Sequence, residues 1–149
     1  MPSGENDRHT AWINSQYTDN LEEMLIQLYK PGRVLDTHFL YLRIVEISYK
    51  KRSDPQMRDM FIKTASEHIS EFENFIEPLL CKTTEGLVLP RVPTFQLLAT
   101  VYTEDGEYEK AIEVCDEAKG FGLHDGTKGD YQARIERIKK KAAQQGIKI

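Results

Sequence analysis

The amino-acid sequence predicts an all-α fold built of paired helices. Apolar residues recur at intervals of three and four over most of the chain, which is the period of a helix with one buried face. Proline and glycine residues separate these runs and mark the turns between helices. The chain has 149 residues, of which 40% are apolar and 30% are charged, so it is long enough for one domain with a single core.

The N-terminal part of the sequence consists of a polar segment and a short helix. Residues 1–17 are polar and aperiodic, and we expect a loose tail there. Asp19 begins a helical run that Pro31 and Gly32 end. Residues 18–149 are then expected to form the single domain. The apolar residues of the first run are Leu21, Met24, Leu25 and Leu28.

Two further helical segments are predicted before residue 80. Residues from Asp36 onward fit a helix, although their β-branched content also fits a strand. Asp54 and Pro55 then form a helix start, because Asp caps a helix and proline is favoured at its first position. The apolar spacing predicts one continuous helix from there to Ile76, the longest of the chain.

The second half of the sequence predicts a connector and three helices. Residues 81–93 contain two prolines and a glycine, which exclude a continuous helix. A pair of helices is expected over residues 94–103 and 107–119. After a glycine-rich turn, a last helix is expected over residues 130–145, with apolar residues on one side and charged residues on the other.

The helix pair contains a pattern of aromatic, leucine, small and glycine residues, which consists of Phe95, Leu98, Ala99, Tyr102, Gly106, Tyr108, Ala111, Cys115 and Ala118. This pattern resembles the tetratricopeptide repeat, a helical hairpin of about 34 residues. In that repeat an aromatic residue, a leucine, a small residue and a tyrosine mark the first helix, and a glycine turn and spaced alanines mark the second. The proline that usually closes the repeat is absent, and Leu123 stands in its place. Residues 89–131 are also similar to small uncharacterised bacterial tetratricopeptide proteins.

The resemblance implies a right-handed α-α superhelix of about two repeats. Residues 93–123 match the repeat well, and residues 36–80 resemble a degenerate first repeat. In that first repeat, Glu46 replaces the small residue, and about seven extra residues lie between its helices. The last helix, over residues 130–145, would then cap the stack.

The resemblance also implies a function. Proteins of this family are scaffolds that hold an extended peptide or a partner helix in a groove lined by the first helices of their hairpins. The same positions also fit ordinary surface that is solvated or packed within the protein itself, and that alternative stays open. The positions that would face the groove are Arg43, Ile47, Lys50, Gln96, Thr100 and Thr103.

Charge and hydropathy disfavour several other classes of protein. The net charge of -4 and the pI near 5.6 provide no overall positive field for nucleic acid or an anionic membrane. No run of eighteen apolar residues occurs, and the N-terminal residues resemble no secretory leader. We therefore expect a cytoplasmic protein without a membrane segment.

We expect no catalytic centre, no metal and no cofactor, and therefore no enzyme. Cys81 and Cys115 stand alone, without a CxxC pair, and are expected to be free thiols. The four histidines are scattered and show no spacing typical of metal ligands. His68 follows a glutamate on a predicted helix, but no nucleophile is indicated beside it.

Two alternatives remain open. The last predicted helix is basic, so it offers a contact for nucleic acid or a regulatory role, although no aromatic or reading motif accompanies its charges. A solvated face, or charge pairing with the acidic helix pair before it, is the other interpretation of these charges. A helical stack usually needs about three hairpins, because each hairpin buries its apolar face against a neighbour. Since only two are predicted here, a second copy of the chain is an alternative way to cover an apolar face that stays exposed. The cations near the C-terminus are Arg134, Arg137, Lys139, Lys140, Lys141 and Lys148.

Overall fold

A computed structural model describes residues 19–29, 34–84 and 86–149 of the chain. The predicted all-α class is confirmed, because the described residues form seven α-helices and only one short β-hairpin. The expected tail over residues 1–17 lies outside the described residues. The helices are α1 (Asp19–Leu28), α2 (Val34–Lys50), α3 (Pro55–Ser70), α4 (Glu73–Leu79), α5 (Pro93–Glu104), α6 (Tyr108–Gly120) and α7 (Asp130–Gln144).

Most helices pack against the next long helix along the chain. Helix α1 contacts α2, α2 contacts α3, α5 contacts α6, and α6 contacts α7. Helices α2 and α3 both contact α5, and these contacts join the two halves of the molecule. Because residues 51–54 and 105–107 are short connections, α2 with α3 and α5 with α6 each form a helical hairpin.

The two hairpins turn where the sequence predicts. The side chain of Asp54 accepts a hydrogen bond of 2.9 Å from the backbone nitrogen of Gln56, and Pro55 occupies the first position of α3. Gly106 has a φ of 75°, a left-handed conformation that glycine adopts without a steric penalty. The ambiguous segment from Asp36 onward is helical, as part of α2.

The prediction of one continuous helix as far as Ile76 is wrong. Helix α3 ends at Ser70 and α4 begins at Glu73, and α2 is the longest helix. The backbone nitrogen of Phe72 donates to the carbonyl of Ile69, which closes a tighter turn between the two helices. This turn lets both Phe72 and Phe75 reach the core, since each is at most 2% exposed.

The connector over residues 81–93 is not wholly irregular. It contains the strands β1 (Cys81–Thr83) and β2 (Gly86–Val88), which pair in an antiparallel hairpin. All the described residues of these strands are solvent-exposed, so this hairpin contributes little to the core. Local backbone pairing and the hydrogen bond of 2.8 Å from the Thr83 hydroxyl to the Gly86 carbonyl hold it together.

An aromatic cluster lies where the two helical hairpins meet. The ring of Phe72 makes edge contacts with Phe95 and Phe121, at centroid distances of 5.4 and 5.1 Å. Such edge-to-face pairs stabilise a core beyond the area they bury. Of the nine residues that match the repeat pattern, seven are buried, Tyr102 is half-buried, and Gly106 lies in the exposed turn. The seven buried ones are Phe95, Leu98, Ala99, Tyr108, Ala111, Cys115 and Ala118.

Candidate binding groove

A groove with a volume of about 280 Å³ lies between α5 and α7. Helix α6 packs against both of these helices. The most deeply buried lining residues are Ala99 and Ile138, which form an apolar floor, and polar or charged side chains form the walls. The lining residues are Ala99, Thr100, Thr103 and Glu104 from α5, and Arg134, Arg137, Ile138 and Lys141 from α7.

Helix α7 presents its cations to the groove because of their spacing. Arg134, Arg137 and Lys141 are three and four residues apart, so they share one face of the helix. The neighbouring face is buried and consists of Tyr131, Ile135, Ile138 and Ala142. Arginine and lysine pack their aliphatic stems along such apolar surface while their charges stay in water.

Asp125 anchors α7 to the turn that follows α6. Its buried carboxylate accepts hydrogen bonds from the backbone nitrogen and the hydroxyl of Thr127, and it pairs with Nε of Arg134 at 2.8 Å. Burial alone would raise the pKa of Asp125, but the hydrogen bonds from Thr127 and the ion pair with Arg134 lower it below its usual value. The charge of Arg134 is therefore largely neutralised. The same turn contains Leu123, which stands where the repeat usually has its closing proline, and this leucine is buried.

The other two groove cations, Arg137 and Lys141, form no ion pair within the described part of the chain. On the opposite wall, the hydroxyls of Thr100 and Thr103 donate to backbone carbonyls of their own helix at 2.8 and 2.7 Å. Each of these oxygens is then left as an acceptor, and the unpaired positive charge of the groove comes from α7.

A second cavity adjoins the groove at Glu104. It has a volume of about 510 Å³ and is lined by Lys50, Arg52, Ser53, Arg58 and Glu104. Because Glu104 lines both cavities, the last turn of α5 forms their shared wall. Lys50 forms no ion pair with any residue of the described ranges.

Four charged side chains form a clamp at this shared wall. Arg52 donates two hydrogen bonds of 3.0 Å to the carboxylate of Glu104. Nη2 of Arg58 lies 3.1 Å from Glu104 and 2.7 Å from Asp105. The hydrogen bonds from the two arginines lower the pKa of Glu104, and the one from Arg52 has the larger effect. The clamp joins the connection between α2 and α3, and the first turn of α3, to the end of α5. Its two positive and two negative charges leave little net charge.

The structure distributes the six groove residues expected from the sequence over several places. Thr100 and Thr103 line the groove between α5 and α7, and Lys50 lines the second cavity. The remaining three line neither cavity. Arg43 is exposed, Ile47 is half-buried against the core, and Gln96 is half-buried with its Oε1 atom buried and without a hydrogen-bond partner.

The cations of the last helix were not among the groove residues expected from the sequence. Arg134, Arg137 and Lys141 in fact lie across the groove from Thr100 and Thr103. Their helical spacing was the available signal, because it separates them from Lys139 and Lys140, which line neither cavity. Which neighbour that face of α7 meets depends on how α7 packs on α6, and no local pattern in the sequence shows this.

A buried histidine pair is the second feature that sequence reasoning missed. Nε2 of His68 lies 2.8 Å from Nδ1 of His38, and Nδ1 of His68 lies 2.8 Å from the hydroxyl of Thr94. Tyr41 stacks on His68 at a centroid distance of 5.0 Å. Burial lowers the pKa of His38 to about 4 and, together with the charge of His38, that of His68 to about 3. The two rings are therefore neutral at pH 7.

Within residues 19–29, 34–84 and 86–149, no cluster of three or more His, Cys, Asp or Glu side chains is arranged to hold a metal ion. No helix in the same ranges has the length and apolar character to cross a membrane. No protein-family model, curated protein or solved structure matches the chain.

Proposed function

We propose that this protein is a tetratricopeptide-like interaction module that binds a segment of a partner protein between α5 and α7, without catalysis. The observation that carries the proposal is the groove itself. It combines an apolar floor, acceptor hydroxyls on one wall and, on the other, Arg137 and Lys141, which form no ion pair with a described residue. Binding sites for peptides commonly pair apolar contact area with a few polar groups that set orientation.

The helix order supports this proposal. Helices α2 and α3 form one hairpin, α5 and α6 form the next, and α7 packs on α6 as the following helix would in a stack. In such stacks the first helices of the hairpins line the binding surface. Helices α5 and α7 are the equivalent helices here, and α2 contributes Lys50 to the adjoining cavity.

The size of the groove favours an extended segment over a whole helix. A volume of about 280 Å³ is close to the lower end of ordinary ligand pockets, which start at roughly 300 Å³. A helix with its side chains is about 10–12 Å across. The groove therefore suits a few side chains of an extended peptide, inserted between α5 and α7.

A selection from a random peptide display library tests the proposal. The wild-type protein is the bait, and recovered peptides are then measured against Thr100→Trp, which fills the groove from its α5 wall. Lys140→Trp is the matched control, because Lys140 is exposed on α7 and lines neither cavity. We expect peptides that bind the wild type and the control equally and lose most of their affinity for Thr100→Trp. Recovery of no peptide sensitive to Thr100→Trp would reject the proposed function.

Contact with nucleic acid is the second candidate function. The observation that favours it is that α7 carries the exposed cations Arg137, Lys139, Lys140 and Lys141, none of which forms an ion pair with a described residue. Cations on any exposed face of α7 can attract the phosphates of a nucleic acid, and this attraction weakens steeply as the salt concentration rises. Salt-dependent retention of a single-stranded oligonucleotide that Lys139→Glu and Lys140→Glu together abolish would support this candidate.

A further inference from the structure

We infer that the partner segment is acidic and that it spans both cavities, from Lys141 and Arg137 at one end to Lys50 at the other. This inference rests on the proposed function and names the chemical class of its ligand. It commits to an acidic peptide of extended conformation with an aliphatic side chain near its centre.

The distribution of charge is the first argument. The whole chain has a net charge of -4, yet among the residues that the structure describes only one carboxylate, that of Glu104, lines the two cavities. An excess of positive charge on the walls of a cavity in an acidic protein attracts an anionic ligand and repels a cationic one. The cations on the same walls are Lys50, Arg52, Arg58, Arg134, Arg137 and Lys141.

Internal pairing leaves three of these cations available. Arg134 is paired with Asp125, and the two arginines of the clamp are paired with Glu104 and Asp105. The three cations without an ion pair among the described residues are Lys50, Arg137 and Lys141. They stand on both sides of Glu104, so a ligand that pairs with all three must pass over the shared wall.

Glu104 does not prevent an acidic chain from passing. Two arginines hydrogen-bond its carboxylate, and Arg58 also pairs with Asp105, so the clamp as a whole is close to neutral. The same hydrogen bonds hold the wall between the cavities in one geometry before a ligand arrives. Preorganised walls reduce the entropy that binding costs.

The floor of the groove adds an apolar requirement. Ala99 and Ile138 are buried at 1% and 5% exposure, and both line the groove. In an extended peptide, successive side chains point to opposite sides. An aliphatic side chain can then reach this floor while the acidic side chains two residues before and after it, which point to the same side, reach the cations on the walls, as in a Glu-Glu-Leu repeat.

Fluorescence anisotropy with defined peptides tests the inference. The probe is a fluorescein-labelled nonapeptide with the sequence Glu-Glu-Leu repeated three times, and matched probes contain Gln or Lys in place of Glu. We expect the Glu probe to bind at least about tenfold more tightly than the Gln probe, and the Lys probe not to bind. Equal affinity for the Glu and Gln probes would overturn the inference.

Charge reversals on α7 and α2 locate the binding. Lys141→Glu and Lys50→Glu are each expected to weaken the Glu probe at least about fivefold, because each removes an attraction and adds a repulsion. Lys139→Glu makes the same change of net charge on the same helix but outside both cavities, and it is expected to weaken the probe less than about twofold. A loss in Lys139→Glu equal to that in Lys141→Glu would overturn the inference.

Two further outcomes separate this inference from the proposed function. If the display selection returns groove-dependent peptides that are not enriched in Asp and Glu, the inference is wrong while the proposed function stands. If a labelled oligothymidine binds more tightly than the Glu probe and loses affinity in Lys50→Glu and Lys141→Glu, the inference is wrong and the cations bind phosphate. The inference is supported if the Glu probe binds tightly and loses affinity in Lys50→Glu and Lys141→Glu but not in Lys139→Glu.

Discussion

Nε2 of His68 lies 2.8 Å from Nδ1 of His38, so two buried imidazole rings share one hydrogen bond in the core between α2 and α3. The other nitrogen of His68 contacts the hydroxyl of Thr94 on α5. When both rings are neutral, the N–H group of one ring donates to the unprotonated nitrogen of the other. With both rings protonated, two N–H groups would face each other in a buried site. The pair therefore ties three helices together only while it is not doubly protonated.

This relationship predicts a loss of stability in mild acid. As pH falls below 6.5, the histidines of the unfolded chain take up protons, while those of the folded chain bind none until about pH 4 for His38 and pH 3 for His68. The unfolded state is therefore favoured as pH falls. Between pH 7.5 and 5, we expect the free energy of unfolding to fall by about 2 kcal/mol for each histidine. Urea unfolding at several pH values measures this loss.

A pair of variants separates proton uptake from packing. His38→Asn keeps a polar side chain but removes one titrating group, so about half of the pH-dependent loss should disappear. Phe75→Leu changes a ring that lies within 6 Å of both histidines, at centroid distances of 5.2 and 5.8 Å. It should lower stability at every pH and leave the pH dependence intact. The same pH dependence in His38→Asn as in the wild type would contradict this account of the pair.

The aromatic cluster predicts a large difference between two Phe→Ala variants. Phe72 is fully buried between the hairpins, whereas Phe39 is 51% exposed on α2. Because Phe72→Ala opens a cavity beside Phe95 and Phe121, we expect it to lower the free energy of unfolding by about 3–5 kcal/mol. Phe39→Ala should cost less than about 1 kcal/mol. Chemical denaturation compares the two, and a similar cost for both would place Phe72 outside the core.

The buried ion pair of Asp125 predicts a large difference in stability between two Asp→Asn variants. Asp125→Asn removes the charge that pairs with Arg134 and weakens the bonds from Thr127, so we expect a loss of about 2–4 kcal/mol. The control is Asp116→Asn, the same chemical change at an exposed position of α6, which should cost less than about 0.5 kcal/mol. Thermal unfolding of the two variants checks the difference. Equal melting temperatures would mean that Asp125 does not anchor α7.

The two thiols should differ sharply in reactivity. Cys115 is buried, and burial raises the pKa of its thiol to about 11, whereas Cys81 is exposed on β1. Since the thiolate is the reactive form, a disulfide reagent at pH 8 should modify one thiol in the folded protein and two in urea. Cys81→Ser should remove the reaction of the folded protein. Rapid modification of the folded Cys81→Ser variant would show that Cys115 is accessible.

Much of the helical architecture was predictable, because helix spacing and turn residues are local signals. Asp54, Pro55 and Gly106 mark their turns correctly, and the ambiguous segment after Asp36 forms α2. The break after Ser70 was not predictable, because the apolar spacing continues through it and the burial of Phe72 and Phe75 decides the path of the chain. The hairpin after α4 was missed because its strands are exposed and show no alternation.

The candidate site was only partly predictable. The family resemblance nominated Thr100 and Thr103, which do line the groove. Arg137 and Lys141 were visible as charges, but their position opposite α5 depends on packing between helices far apart in the sequence. The contact of His38 with His68 joins positions on two helices of the first hairpin, and nothing in the local sequence around either residue indicates it.

The most direct test of the central claim is an NMR titration of the ¹⁵N-labelled protein with a peptide recovered by the display selection. We predict that the largest changes in amide chemical shift occur at Thr100, Thr103, Arg137 and Lys141, with smaller changes at Lys50. Changes confined to α1 or to the hairpin of β1 and β2, with the signals of α5 and α7 unmoved, would show that the groove is not the binding site.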